Sequence, residues 1–167
     1  MIIREASEID AYQLTFLMKN VEKTSMYMLM NAGERNTNEN QMKHLITKIK
    51  NKSNSNIIVA EINNVLIGYL FVIEFSEIKK SHSAFIVLGI DESYRNKRVG
   101  TSLMKYLMQW FSKTSLVRLE LSVISQNKNA IKLYKKFNFL IEGEKLNSIQ
   151  IDNCFYNEFL MSLVKTH

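Results

Sequence analysis

Three apolar runs follow one another through the middle of the chain, Asn56 to Ile62, Val65 to Phe75 and Ser83 to Ile90, each rich in β-branched or aromatic residues. Such runs read as strands. Asn63 and Asn64, residues that tolerate a positive φ, separate the first two by the length a tight hairpin needs. The third, SAFIVLGI, is apolar at nearly every position, as a strand covered on both faces must be, so it belongs in mid-sheet. Helical spacing surrounds these runs. Ser7 can cap a helix whose apolar residues include Ile9, Tyr12 and Phe16. Asn38 and Gln41 make a capping pair ahead of Met42, Leu45, Ile46 and Ile49, which share one helical face. Between those helices the polar segment Asn31 to Asn38, with Gly33, reads as a surface loop. After the third strand, Leu103, Met104, Leu107, Trp110 and Phe111 repeat as one helical stripe, and another helix is predicted from Asn127 to about Phe137. Short strands are predicted at Met1 to Glu5, at Leu116 to Val123, and through Leu163 after a turn at Asp152-Asn153. The sum is a mixed α/β sheet.

The 167 residues suffice for one continuous core and are too few to suggest two, so a single domain over 1–167 is expected. The longest apolar run, Val65 to Phe75, is interrupted by Gly68 and is far shorter than a bilayer requires. MIIREASEID carries its charges early and lacks the apolar core of a signal peptide. No membrane role is therefore expected. Cys154 is the only cysteine, which excludes an intrachain disulfide and any cysteine-built metal site, and fits a reducing cytoplasm with no metal cofactor. The formal charge of +6 comes mostly from scattered lysines, which argues against nucleic acid as a partner and suits a cofactor bearing several phosphates.

The segment YRNKRVGT lies between the buried third strand and a helix, where free backbone N–H groups and the helix dipole favour an anion. Arg95, Lys97 and Arg98 add cationic donors, and Gly100 lets the backbone approach a ligand closely. Alone, that pattern favours a solvated strand-to-helix loop over a phosphate site. With its context it resembles the GNAT superfamily of N-acetyltransferases, from Ile3 to Leu163 and most strongly from Ser83 to Phe139. RNKRVG at Arg95 to Gly100 matches the first and last positions of that superfamily's [R/Q]-x-x-G-x-[G/A] signature, with Arg98 at the middle glycine. NKNAIKLYKKFNF matches a second signature at Asn127, Ala130, Leu133, Tyr134 and Phe139, with Asn138 where glycine is usual. Asn tolerates the left-handed conformation that ends a helix, so that replacement keeps the geometry.

The resemblance implies a GNAT-like fold, a mostly antiparallel central sheet flanked by helices, and transfer of an acetyl group from acetyl-CoA to a primary amine. It implies that the backbone of Leu88 and Ile90 pairs with the pantetheine arm. By the same resemblance the amides of Arg95, Asn96, Lys97, Arg98, Val99, Gly100 and Thr101 should hold the pyrophosphate, and Asn127 should contact the cofactor. Tyr134 stands at the catalytic position, as general acid toward the CoA thiolate. An alkylamine is about one part in a thousand neutral at pH 7, so a base is also needed. Ser122 stands where the ribosomal-protein alanine acetyltransferases carry Glu, and Glu120, two residues earlier on the same strand face, is a candidate for that role. The competing reading pairs Glu120 with Arg118 or a lysine. Glu34 and Arg35, in the loop between the first two helices, are candidates for acceptor binding, against a reading as bland surface charges. A cationic amine is expected as acceptor, with small-molecule and protein amines both open, as are a longer acyl group and a homodimer. The rival from another class is a CoA-binding or nucleic-acid-binding module with the same fold and no turnover.

Overall fold

A computed structural model describes residues 1–165; the last two positions of the expected 1–167 domain lie outside the described residues. In chain order the main elements are β1 (Ile2–Glu5), α1 (Ala11–Thr24), α2 (Glu39–Lys50), β2 (Asn56–Ile62), β3 (Val65–Glu74), β4 (Ser83–Ile90), α3 (Val99–Phe111), β5 (Arg118–Ile124), α4 (Lys128–Lys136), β6 (Leu140–Ile151) and β7 (Cys154–Val164). Seven strands make one sheet in the order β1-β2-β3-β4-β5-β7-β6. Only the β4–β5 pair is parallel. Among the described residues no helix is long and apolar enough to cross a membrane.

The central strands are apolar throughout because each face meets a different layer of helices. Ile57, Val59, Tyr69 and Phe71 join the core under α1 and α2, whereas Ile58, Ala60, Leu70 and Val72 join the core under α3 and α4. The β2–β3 turn places Asn63 at φ 50° and Asn64 at φ 63°, the left-handed pair that a two-residue hairpin demands. In α2 the expected cap is present: Asn38 Oδ1 accepts from Gln41 N at 2.9 Å, and Asn38 N donates to Gln41 Oε1 at 2.9 Å. Met42, Ile46 and Ile49 are buried as their spacing predicts.

Helix α1 differs from the prediction. The chain first makes a short 3₁₀ turn at Glu8–Asp10, and the buried stripe is Ala11, Leu14, Leu17, Met18 and Val21. Ile9, Tyr12 and Phe16 are 87%, 66% and 67% exposed. Both stripes have helical spacing, so periodicity cannot choose between them; the start of the helix does. Asp10 accepts from Arg4 Nη1 at 2.8 Å and from Arg4 Nη2 at 2.7 Å, which holds its carboxyl below the usual range and fixes how the first turn faces the sheet. Strand β6 was not predicted as a strand of its own. It pairs only with β7, is bulged, and is exposed along nearly all its length, so its sequence shows no apolar alternation.

Candidate active site

The parallel ladder between β4 and β5 is short. It joins Ser83–Phe85 to Arg118–Glu120, and beyond Phe85 the two strands have no paired residues. Backbone groups alternate between the two edges of a strand, and their direction in β4 is fixed at both ends. The Ser83 carbonyl accepts from Phe75 N at 3.2 Å and Asp91 N donates to Ile67 O at 2.9 Å, both toward β3. The His82 carbonyl accepts from Val117 N at 2.8 Å, toward β5. By this alternation the backbone groups of Ile86, Leu88 and Ile90 point into the gap where the sheet has parted. An extended ligand arm lying there would meet a strand edge on which only the Ile90 carbonyl is engaged, by Arg95 Nε, and the family resemblance puts the arm at Leu88 and Ile90.

The loop from Arg95 to Thr101 opens beside the end of β4. Asn96 has φ 62° and Arg98 has φ 64°, so the position where the superfamily signature has glycine keeps the left-handed conformation with an arginine. The first helical bond of α3 runs from Ser102 N to Arg98 O at 3.1 Å, leaving the amides of Val99, Gly100 and Thr101 without intrahelical acceptors. These amides and the α3 dipole favour an anion. A Cβ on Gly100 would lie 2.9 Å from Leu133 Cδ2 and 3.2 Å from Ile90 Cδ1, so its lack of a side chain lets α3, α4 and the end of β4 converge. The cations divide. Lys97 and Arg98 are exposed, whereas the Arg95 guanidinium turns toward α1: Nη1 donates to Thr24 O at 2.9 Å, Nη2 to Thr24 Oγ1 at 2.8 Å, and Nε to Ile90 O at 3.3 Å.

Helix α4 carries the second signature. Asn127 caps it, its Oδ1 accepting from Ala130 N at 3.2 Å, which leaves its Nδ2 group for a ligand. Asn138 follows the helix at φ 63°, the conformation expected where glycine is usual. Tyr134 is buried among the core residues under α3 and α4, next to Leu133 at the α3–β4 junction. Burial pushes its phenol up to about 12, so the group is protonated at neutral pH. No described residue pairs with its hydroxyl, which therefore has a proton to give.

On β5, Leu119, Leu121 and Val123 face the α3–α4 core, so Glu120 and Ser122 face the α1–α2 side. Glu120 Oε1 accepts from Arg118 Nε at 2.6 Å, the pairing held open as the competing reading. Arg118 also holds Glu142 on β6, whose carboxyl it pulls down to about 2. Glu120 thus stands at the last paired position before the gap, as one arm of a carboxylate–guanidinium–carboxylate bridge. Glu34 is exposed and accepts from Asn31 Nδ2 at 2.9 Å. Arg35 turns inward: its Nε donates to Glu22 Oε1 at 2.7 Å and its Nη2 lies 2.5 Å from the same oxygen.

Glu22 and Tyr69 are polar groups that the sequence reading passed over. The Glu22 side chain is 1% exposed and its Oε2 has no partner; the Tyr69 hydroxyl, on a residue 0% exposed, has none either. Burial, then the charge of Glu22, drives the Tyr69 phenol well above its usual range. The signal was available for Glu22, an acidic residue adjoining Val21 on the buried stripe of α1.

Comparison with known proteins bears on the family and the fold. The family model described as the acetyltransferase (GNAT) family matches residues 23–139. An L-amino acid N-acetyltransferase of Escherichia coli is 29% identical over 109 residues, 65% of this chain and 67% of that protein. The spermidine N(1)-acetyltransferase of the same species is 26% identical over 106 residues, and the match spans 63% of this chain but only 56% of the relative. Among solved structures, a GNAT acetyltransferase from Streptococcus pneumoniae superposes with a TM-score of 0.94 at 23% identity, covering 98% of both chains. The phosphinothricin acetyltransferase of Sinorhizobium meliloti, solved in complex with acetyl-CoA, gives 0.86 at 14% identity over 98% of this chain and 87% of its own. At those identities the superpositions establish the fold, and the family match supplies the rest: this chain belongs to the GNAT family of acetyltransferases.

Proposed function

We propose that this chain transfers the acetyl group of acetyl-CoA to a primary amine by direct attack, with Tyr134 protonating the departing thiolate. The carrying observation is Tyr134 itself, a phenol kept protonated by burial, with no described hydrogen-bond partner, on the helix turn that packs against the phosphate loop and the end of β4. The acceptor ammonium first loses a proton, the neutral nitrogen bonds to the acetyl carbonyl carbon, the carbon–sulfur bond breaks, the sulfur takes the Tyr134 proton, and the nitrogen sheds its surplus proton to solvent, from which the Tyr134 phenolate is reprotonated. In this reading the pantetheine arm lies along Leu88 and Ile90. The amides from Asn96 to Thr101, with Lys97 and Arg98, meet the pyrophosphate, and Asn127 Nδ2 contacts the cofactor. Arg95 acts there through its backbone and its hold on Thr24 rather than as a phosphate ligand.

The test measures binding and turnover separately. Acetyl-CoA at a hundred times its dissociation constant should stabilise the fold by about 2.7 kcal/mol, and dephospho-CoA should bind more weakly. Acetyl-CoA consumption should then depend on an added amine. An unchanged melting temperature at millimolar acetyl-CoA would remove the cofactor assignment. Binding with no turnover on any amine would leave a CoA-binding module.

A further inference from the structure

Two buried oxygens on the α1–α2 side of the sheet have no partner, Glu22 Oε2 and the Tyr69 hydroxyl, and they lie near enough for the charge of Glu22 to act on the Tyr69 phenol. Glu22 sits in the last turns of α1 between Asn20, whose Nδ2 donates to Asp91 Oδ2 at 2.7 Å, and Thr24, held by Arg95. Those bonds tie the end of α1 to the end of β4. Tyr69, on β3 opposite Gly89, leans over that same stretch: a Cβ on Gly89 would lie 2.3 Å from Tyr69 Cζ and 2.4 Å from its hydroxyl oxygen. Gly89 stands between Leu88 and Ile90, so the phenol lies one strand's width from the edge that faces the gap. Leaving a carboxylate oxygen and a phenol both enclosed and unpaired is costly, and native proteins rarely do so without a water, an ion or a ligand to meet them.

A site made of two oxygens that can both accept suits a group with several N–H donors, which an ammonium or amine is. Its charge narrows the choice. Arg35 already balances Glu22, so a polyamine would add two or more positive charges to a pair with none to spare, whereas a zwitterion adds nothing net. Both Arg35 contacts use Nε and Nη2 on a single Glu22 oxygen, leaving Nη1, on the only partly exposed member of the cluster, for a carboxylate. We propose that Glu22, Tyr69 and Arg35 form the acceptor subsite, with the amine on Glu22 Oε2 and the Tyr69 hydroxyl and an acceptor carboxylate on Arg35, so that the acceptor is an α-amino acid. This rests on the acetyl-transfer reading above and names its substrate class.

The experiment compares wild type with Tyr69→Phe, Glu22→Gln and Arg35→Gln. Acceptors are the L-amino acids, the amines left by their decarboxylation, and spermidine; acetyl-CoA affinity and thermal stability are followed in parallel. Wild type should acetylate L-amino acids in preference to spermidine. Tyr69→Phe and Glu22→Gln should raise acceptor KM by about tenfold or more with acetyl-CoA affinity unchanged. For Tyr69→Phe the melting temperature should hold or rise, because the lost hydroxyl had no partner. Arg35→Gln should raise KM for amino acids and leave the decarboxylated amines unaffected, a pattern that mere structural damage cannot produce. A lower melting temperature for Tyr69→Phe with unchanged acceptor KM means a buried water bridges the two oxygens and overturns the proposal. So does acetyl-CoA binding with spermidine preferred, or with no amino acid acetylated. Failure to bind acetyl-CoA at all removes the acetyl-transfer reading first and the subsite with it.

Discussion

Arg95 donates two hydrogen bonds to Thr24, 71 residues away, and so clamps the start of the loop before α3 to the end of α1. The arginine of the loop signature is a brace between α1 and the loop that leads into α3. Arg95→Met should therefore destabilise the free protein by roughly 1–3 kcal/mol, since it strips three hydrogen bonds from a partly buried guanidinium. Thermal unfolding without ligand reads this directly. A mutant of wild-type stability that had lost acetyl-CoA affinity would instead make Arg95 a phosphate ligand.

Gly89→Ala places a methyl group within 2.3–2.6 Å of three Tyr69 ring and hydroxyl atoms. Tyr69 is fully enclosed and cannot swing away freely, so overpacking of about 1–3 kcal/mol or more is expected. Truncating the neighbour should relieve it. In a double-mutant cycle of Gly89→Ala with Tyr69→Ala, measured by denaturant unfolding, the combined loss should fall short of the sum. Additive losses would mean that the contact is not the source of the strain.

The parts of the fold that were legible in the sequence are those where local chemistry and tertiary context agree. Asn63, Asn64 and Asn138 sit at positive φ, and Asn is a residue whose presence announces that conformation. Arg98 does so too, but only its alignment with a signature glycine marks it. The apolar runs of β2, β3 and β4 read correctly because both of their faces are buried. Helix α1 misled because Ile9, Tyr12 and Phe16 mimic a core stripe, and the choice of face depended on Arg4 reaching Asp10. In the candidate site, Tyr134 and the Arg95–Thr101 loop stand out in the sequence because each lies in a contiguous motif. The Glu22–Arg35 pair and the Tyr69–Gly89 contact do not, since they join an irregular loop to a helix and one strand to the next, and no spacing rule encodes either.

Arg98→Gly tests whether the loop's conformation or its charge matters more. A non-glycine residue in the left-handed region costs about 1–2 kcal/mol, and glycine returns part of that as unfolded-state entropy, so a net gain of up to about 1 kcal/mol is expected. Acetyl-CoA affinity should fall modestly as one exposed cation is lost, and its salt dependence should weaken with it. Calorimetric titration at two salt concentrations checks both. A large destabilisation would mean that the Arg98 side chain holds the loop.

Tyr134→Phe removes one hydroxyl and keeps the ring that packs against Phe139 at 5.9 Å, so fold and cofactor affinity should persist. With chemistry rate-limiting, kcat should fall by about 10²- to 10⁴-fold and acetyl-CoA KM should change little, because the proton is needed only as the thiolate leaves. The pH profile is the sharper test. An ordinary tyrosine ionises near pH 10, and on that basis wild type and mutant would converge there. Burial moves the Tyr134 phenol up to about 12, so the wild-type advantage should survive through pH 10 and shrink only as pH approaches that value. The same shift sets a limit on the assay. Because burial penalises only the phenolate, the fold should lose up to roughly 3 kcal/mol of stability as pH rises from about 10 toward 12, where the unfolded chain ionises first. Tyr134→Phe lacks that ionisation, so its stability should fall less steeply over the same interval. Rates that converge at pH 10 while both proteins remain folded would show that another group titrates the reaction. A mutant within twofold of wild type at pH 7 would leave Tyr134 as a packing residue, with the thiolate protonated from solvent.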